Sequence, residues 1–275
     1  VVKIRARLFS NAPLLGLLAV TWLVVAISTG WWLIYDSDGP EDTTWQRLQE
    51  NKVLVVGVDP GFPPFAQLTP DQQLSGIDVD LAYALAEELG FAVEIKLVGF
   101  DSRFDQLYLG QVDILIAAMR PDLRRLDRVR YTESYFDGGH VFVAANDFAG
   151  SMPRHLEELE GLTLAVEFAA PGDVAARKAI EEDGLDIALL RLLSPTAALE
   201  AVVNGKAEVA LVDRVSARLF ANTHPELRLS QAPLISDPYV IATRREDWRL
   251  RLHINQAIET LRDDGSLNEI LNRWL

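Results

Sequence analysis

From Val53 onward, short β-branched apolar runs alternate with stretches whose apolar residues recur at helical spacing, and that alternation leaves few folds open. Val53–Val58 (VLVVGV) reads as a strand, stopped by three prolines and a glycine in Asp59–Phe65. Ile77–Leu89 carries apolar residues at 79, 82, 83, 86 and 89, with Gly90 just past its end, and reads as a helix. Phe91–Val98 is the next predicted strand, Ser102–Leu109 a short helix, and Val112–Met119 a third strand. The run Ile114–Met119 lacks a strict period of two, as expected of a strand covered on both faces. Strands and helices in this order predict a parallel α/β sheet.

A second alternating series follows Gly138 and Gly139. A β-rich run, His140–Ala145, leads to predicted strands at Thr163–Val166, Ile187–Leu190 and Val209–Val212, with helices at Asp173–Glu182 and Thr196–Val203 between them. A return strand, Tyr239–Thr243, precedes a long helix with apolar residues at 250, 254, 257, 258 and 261. Gly265 ends that helix, and Ser266 with Glu269 has the pattern of a capping box for the last one. The two series echo each other. Leu107–Arg120 and Ala201–Arg214 share a glycine (Gly110, Gly205), an acidic residue three positions on (Asp113, Glu208) and then an apolar strand, a register that also matches Ala118 with Asp213.

Between the third strand and the second series, Arg120, Arg124, Arg125 and Arg128 follow the break at Pro121-Asp122. Cations at the carboxyl end of a buried strand stand where open α/β sheets place their ligands, although runs of charge more often face solvent. The net charge of -14 argues against nucleic acid or an anionic lipid surface as a partner of the body. There is no cysteine, which excludes thiolate chemistry, disulfides and a lipid anchor. The four histidines have no metal-ligand spacing, and no phosphate-binding loop, dinucleotide fingerprint or nucleophile elbow is present. No metal, cofactor or catalytic residue is therefore expected.

The amino end has a different character. Pro13–Tyr35 holds no charge, and as a helix at ~1.5 Å per residue it would span roughly 34 Å, enough to cross ~30 Å of hydrocarbon. Lys3, Arg5 and Arg7 precede it, and Trp31, Trp32 and Tyr35 mark its far end. This predicts a cytoplasmic basic end (1–12), a transmembrane anchor (13–35) with a cleaved signal as the alternative, a polar linker (36–47), and an extracytoplasmic body.

Five ordered motifs resemble the family 3 extracellular solute-binding proteins, the amino-acid receptors of ABC importers. Gly76-Ile77-Asp78-Val79-Asp80-Leu81, with Leu85-Ala86 and Leu89-Gly90, looks like the family signature. Asp59-Pro60-Gly61-Phe62-Pro63-Pro64-Phe65 resembles its first ligand loop, Tyr131–Tyr135 its "FSxPY" segment, and Asp264-Gly265-Ser266-Leu267 with Trp274 its carboxyl-terminal helix pair. The resemblance implies a two-lobed α/β fold of the periplasmic-binding-protein type II, with two crossover hinge strands joining lobe 1 (48–139 and 238–275) to lobe 2 (140–237). It implies a small polar ligand, an amino acid or related organic acid, closed between the lobes and passed to an ABC importer permease.

Position by position, Arg125 matches the arginine that forks onto an α-carboxylate, Asp213 the aspartate that takes the α-ammonium, and Phe62 the aromatic that stacks on the ligand side chain. A guanidinium offers paired donors to a carboxylate, and a carboxylate accepts from an ammonium. Core packing for Phe62 and a helix cap for Asp213 are the structural alternatives. The departures are Arg120 and Asp122 at hydroxyl positions, Ala169-Ala170-Pro171 in place of a hydroxyl-rich loop, and Arg103 at a position normally apolar. Asp59, Phe62, Arg103, Ala118, Arg120, Arg125, Ala170 and Asp213 are thus the expected ligand residues. Arg120 is expected either to pair a second carboxylate of the ligand or to bridge Asp122; Arg124 and Arg128 are expected to be solvated. Two alternatives share the fold: a cyclohexadienyl dehydratase-like enzyme, with Glu133, Glu167 or Asp122 as its acid, and a sensor module needing a separate output partner.

Overall fold

The structure, a computed structural model, describes residues 42–275. The predicted anchor at 13–35 lies outside the described residues, and among those described no helix is long and apolar enough to cross a membrane. The first helix, α1 (Thr43–Asn51), corrects the expected linker, whose last five residues are helical. Asp42 explains this local order. Its Oδ1 accepts from Trp45 N at 2.8 Å, capping α1, while Oδ2 accepts from Arg249 N at 2.8 Å and Leu250 N at 3.2 Å in the first turn of a distant helix. Trp45 then stacks on His253 with ring centroids 4.1 Å apart. One carboxylate thereby fastens the chain's entry onto lobe 1.

Lobe 1 is a five-stranded sheet in the order β4-β1-β5-β12-β6. Here β1 is Val53–Val58, β4 Ala92–Leu97, β5 Ile114–Met119, β6 Val129–Asp137 and β12 Pro238–Arg244, while β2 (Gln67–Leu68) and β3 (Leu74–Ser75) form a small hairpin. The strands β4, β1 and β5 are parallel; β12 runs antiparallel to both β5 and β6. In β5, Ile114 and Ile116 pack with α2 (Ile77–Leu89) and α7 (Trp248–Asp263), whereas Leu115, Ala117 and Met119 pack on the other face with Phe104 and Leu107 of α3 (Arg103–Tyr108). Burial on both faces is why that run shows no alternation.

Lobe 2 repeats this plan in the order β9-β8-β10-β7-β11, with β7 His140–Ala145, β8 Thr163–Glu167, β9 Ala188–Leu192, β10 Val209–Asp213 and β11 Leu227–Leu229. Its helices are α4 (Pro171–Glu181), α5 (Pro195–Val203) and α6 (Arg214–Ala221). The sequence echo has a structural counterpart. Gly110 and Gly205 both take positive φ, 68° and 66°, a conformation glycine adopts without a Cβ penalty. Three residues on, Asp113 Oδ2 accepts from Val55 N at 2.9 Å and Glu208 Oε2 from Thr163 N at 2.7 Å, so each acid ties the amino end of its strand to the neighbouring one.

Two segments connect the lobes, and they bond to each other: Gly138 N donates to Asp237 O at 3.0 Å, and His140 N to Ile235 O at 2.9 Å. A Cβ on Gly139 would sit 1.9 Å from Ile235 O, so only glycine permits the close crossing. Asp137 gathers both strands, accepting from Gly139 N, Asp237 N and Ser236 Oγ at 2.8–2.9 Å. Burial opposes its ionisation, but these donors and Arg214 outweigh that and hold the carboxyl below its usual range.

At the carboxyl end, the expected capping box does not form. The N-cap of α8 (Ser266–Trp274) is Gly265, and Asp264 Oδ1 takes Ser266 N at 2.8 Å, so the turn is closed one residue earlier.

Candidate functional site

Seven of the eight predicted ligand residues fall at the carboxyl ends of parallel strands or in the loops that follow them, and the eighth, Arg103, opens the helix after β4, as the geometry of an open α/β sheet requires. After β1, Asp59 is buried; its Oδ1 accepts from Gly61 N at 3.0 Å, and its Oδ2 has no hydrogen-bond partner among the described residues. Phe62 is 40% exposed, which disposes of the core-packing alternative, and its ring lies 6.2 Å from that of Phe100 in the loop after β4.

Arg103, at the start of α3, lies over Phe100 at 4.3 Å and flanks Phe104 at 5.5 Å. Arg125 covers the same Phe104 ring at 4.2 Å. The structure therefore assembles Phe62, Arg103 and Arg125 around two phenylalanines that nothing in the local sequence pattern singles out.

The arginine run resolves residue by residue. Arg124 forks onto Asp122 with Nε–Oδ1 at 2.9 Å and Nη2–Oδ2 at 3.0 Å, and these hydrogen bonds hold the Asp122 carboxyl at about 2. Arg125 Nε lies 3.2 Å from Asp122 Oδ2 at an angle that makes no hydrogen bond, so Nε is buried without an acceptor. Arg120 does not bridge Asp122; it forms an ion pair with Asp237 of the return crossing. The reason is local: Asp122 caps the 3-10 turn Leu123–Arg125, which presents Arg124 and Arg125 to it. Arg124 and Arg128 are both exposed, as expected, and Arg128 also lies 3.8 Å over the Tyr108 ring.

On the other side, Asp213 ends β10 and accepts from Ser216 N at 2.8 Å, capping α6. It pairs in register with His140, whose imidazole is pushed down by burial against the opposing pull of Asp213 and Asp237. Ala170 is the N-cap of α4 and Ala169 adopts φ 63°, held by Asp173 Oδ2 at 2.9 Å from its amide. Ala118, matched to Asp213 by the echo, takes φ 42°, and its amide donates to Asp78 Oδ2 at 2.9 Å.

Asp78 of the Gly76–Leu81 motif also accepts from Tyr135 Oη at 2.7 Å in full burial. It fixes the backbone from which the arginine loop departs. Sequence reasoning quoted this aspartate only as part of a motif. It missed Phe100 and Phe104, which read as ordinary apolar residues although Arg103 is close by in the chain, and Asp237, which lies far along the chain from Arg120.

Arg125 and Asp213 share no hydrogen bond or ion pair among the described residues, so a third group must link them if they act together. Of the carboxylates considered as a general acid, Asp122 is ionised and Glu133 exposed. Glu167, at the end of β8, is raised by burial and by Asp213. A surface concavity lined by Asn146, Phe148, Val203, Glu208 and Glu226 lies at the opposite, amino ends of the lobe 2 strands and has no part in this arrangement.

Residues 54–275 match the family described as bacterial extracellular solute-binding proteins, family 3. The chain belongs to that family. A Haemophilus influenzae protein described as a probable amino-acid ABC transporter-binding protein is 27% identical over 231 residues, 83% of this chain and 86% of that protein. The L-cystine solute receptor of Neisseria gonorrhoeae, in an unliganded open conformation, superposes with a TM-score of 0.72 at 21% identity, covering 84% of this chain and 95% of the receptor. An ancestral cyclohexadienyl dehydratase superposes with a TM-score of 0.73 at 20% identity, covering 87% of this chain and 98% of the enzyme. These two likenesses establish the two-lobed fold of this family 3 protein and nothing about its ligand.

Proposed function

We propose that this family 3 protein is the extracytoplasmic receptor of an ABC importer, capturing an amino acid between its lobes and handing it to a permease. The observation that carries the reading is Arg125. It stands at the family's carboxylate-fork position, after a strand whose echo in the other lobe ends in Asp213, and its buried Nε, 3.2 Å from Asp122 Oδ2, makes no hydrogen bond. In this reading Arg125 takes the α-carboxylate and Asp213 the α-ammonium while still capping its helix. Phe62 covers the ligand side chain, and Ala118 and Ala170 contribute backbone groups. The Haemophilus relative's description supports the amino-acid class and the importer partnership. The dehydratase alternative retains Glu167 as its one plausible acid.

Calorimetry of the full chain against the amino acids tests capture. Arg125→Ala should weaken whatever binds by at least about 30-fold, about 2 kcal/mol, the low end for a charge-assisted contact because the arginine is half-exposed. Binding by no amino acid would sink the reading, and unchanged affinity in the variant would move the site elsewhere. We also propose that residues 13–35 anchor the protein in the membrane, with 1–12 inside, on sequence character alone. A protein that high salt releases from membranes, starting near residue 29, would show a cleaved signal instead.

A further inference from the structure

Two groups of the assembled site lack what they need. Among the described residues Arg103 Nε is buried without an acceptor and Asp59 Oδ2 without a donor, while Arg125 Nε makes no hydrogen bond but lies 3.2 Å from Asp122 Oδ2. Among the described residues no carboxylate forms an ion pair with Arg103, although Arg120, Arg124 and Arg125 each have one. Burial disfavours the Arg103 charge and the Arg125 cation adds to that, while Asp59 favours it from a distance too great for an ion pair. Both guanidinium carbons lie within 5.5 Å of the Phe104 centroid, one at 5.5 Å and one at 4.2 Å, so the cations share a single ring.

An aromatic face stabilises a cation but accepts no N–H in the guanidinium plane, so stacking leaves the fork of Arg103 free for an anion, while Arg125 is shared between the ring and Asp122. Two adjacent cations, with Asp122 the only carboxylate ion-paired to either among the described residues, form a site for a doubly acidic ligand.

Resting on the amino-acid reading above, we infer that Arg103 is a specificity-determining residue that binds a second, side-chain carboxylate, so that the ligand is an acidic amino acid. Arg120 is not that residue: it is 70% exposed and already paired with Asp237. In this arrangement Arg125 holds the α-carboxylate and Arg103 the distal one, both beside Phe104. Asp59 repels a carboxylate placed close to it but accepts from an ammonium, so the unpartnered Oδ2 favours a zwitterion over a simple dicarboxylic acid. A cationic amino acid would set its side chain against Arg103.

Titrating the full chain with L-glutamate, L-aspartate, L-glutamine and L-arginine, alongside Arg103→Gln and Arg103→Lys, tests this. We expect the natural chain to prefer one of the two acidic amino acids over glutamine by at least tenfold. Arg103→Gln should erase or invert that preference while still binding an amino acid, and Arg103→Lys, which keeps the charge without the fork, should retain part of it. A natural chain that binds glutamine or arginine as tightly as glutamate and aspartate overturns the assignment and leaves the receptor reading standing. An acidic preference that persists in Arg103→Gln overturns it too. Binding by none of the four in any variant, with other amino acids bound, excludes the acidic class; silence toward all amino acids removes the receptor reading itself.

Discussion

Arg244→Met should lower the unfolding free energy by about 3–5 kcal/mol, the cost of breaking a buried ion pair from one side. Arg244 is buried at the end of β12, where Nη1 donates to Leu107 O at 2.9 Å and Val112 O at 2.7 Å, and Nη2 to Thr44 Oγ1 at 2.9 Å. It forms an ion pair with Asp247 at 2.8 Å and approaches Asp113 at 3.7 Å. Methionine fills similar space, so the variant isolates the charge. Asp113 keeps Arg47, but Asp247 is left buried with its cation gone and two carbonyls lose their donors. The site also joins α1, the segment running from α3 to the start of β5, and β12, which are far apart in the chain, so the loss should appear as one cooperative shift in denaturant midpoint. A change below about 1 kcal/mol would show that the neighbours repack without the guanidinium.

Asp78→Asn should reshape the dependence of stability on pH. Full burial pushes the Asp78 carboxyl up from 3.8 to about 7, with the Tyr135 hydroxyl and the Ala118 amide pulling the other way and Asp59 adding to the rise. The sign follows from proton counts. Below about pH 4 the carboxyl is protonated in both states and contributes no pH dependence. Between about 4 and 7 the unfolded chain ionises first, so stability falls as pH rises, and above 7 the folded state carries the whole penalty of a buried carboxylate. Asparagine cannot ionise. The variant should therefore gain on the natural chain as pH rises from 4 to 8, by on the order of 1–4 kcal/mol. Asp247, raised to about 6 by burial against the pull of Arg244, titrates in the same window in both proteins and cancels in the difference. Denaturation midpoints that differ by a constant across that range would show that Asp78 is ionised throughout.

Local pattern was enough for most of the scaffold. His140–Ala145 emerges as the strand β7 with the predicted bounds, and Ile77–Leu89 as a helix ended by Gly90, because periodicity and glycine conformation act within a few residues. What stayed hidden depends on partners far along the chain. Helix α1 has a polar sequence that reads as linker; it is helical because Asp42 caps it and Leu48 and Trp45 find lobe 1, with His253 some two hundred residues away. Arg120 had a neighbouring carboxylate in Asp122 to suggest a local bridge, yet its partner is Asp237, delivered only by the second crossing. The cation pair on Phe104 was beyond reach for the same reason. Arg103 and Arg125 were singled out through family positions, but that they share one ring follows from the packing of α3 beneath the loop after β5.

The interleaving of the two sheets bears on how the chain can be made. Every strand of lobe 2 falls within one continuous stretch, 140–229, so its sheet can close as soon as that stretch has left the ribosome. Lobe 1 cannot do the same. Among the described residues its strand β6 pairs only with β12, and β5 reaches β6 only through β12, which is synthesised about a hundred residues later. Until then β6 and one side of β5 present unpaired backbone, the kind of edge that recruits strands from other chains. The inserted lobe is thus the part that can fold during synthesis, and the lobe that surrounds it in sequence is the part that must wait with an open edge until the chain returns.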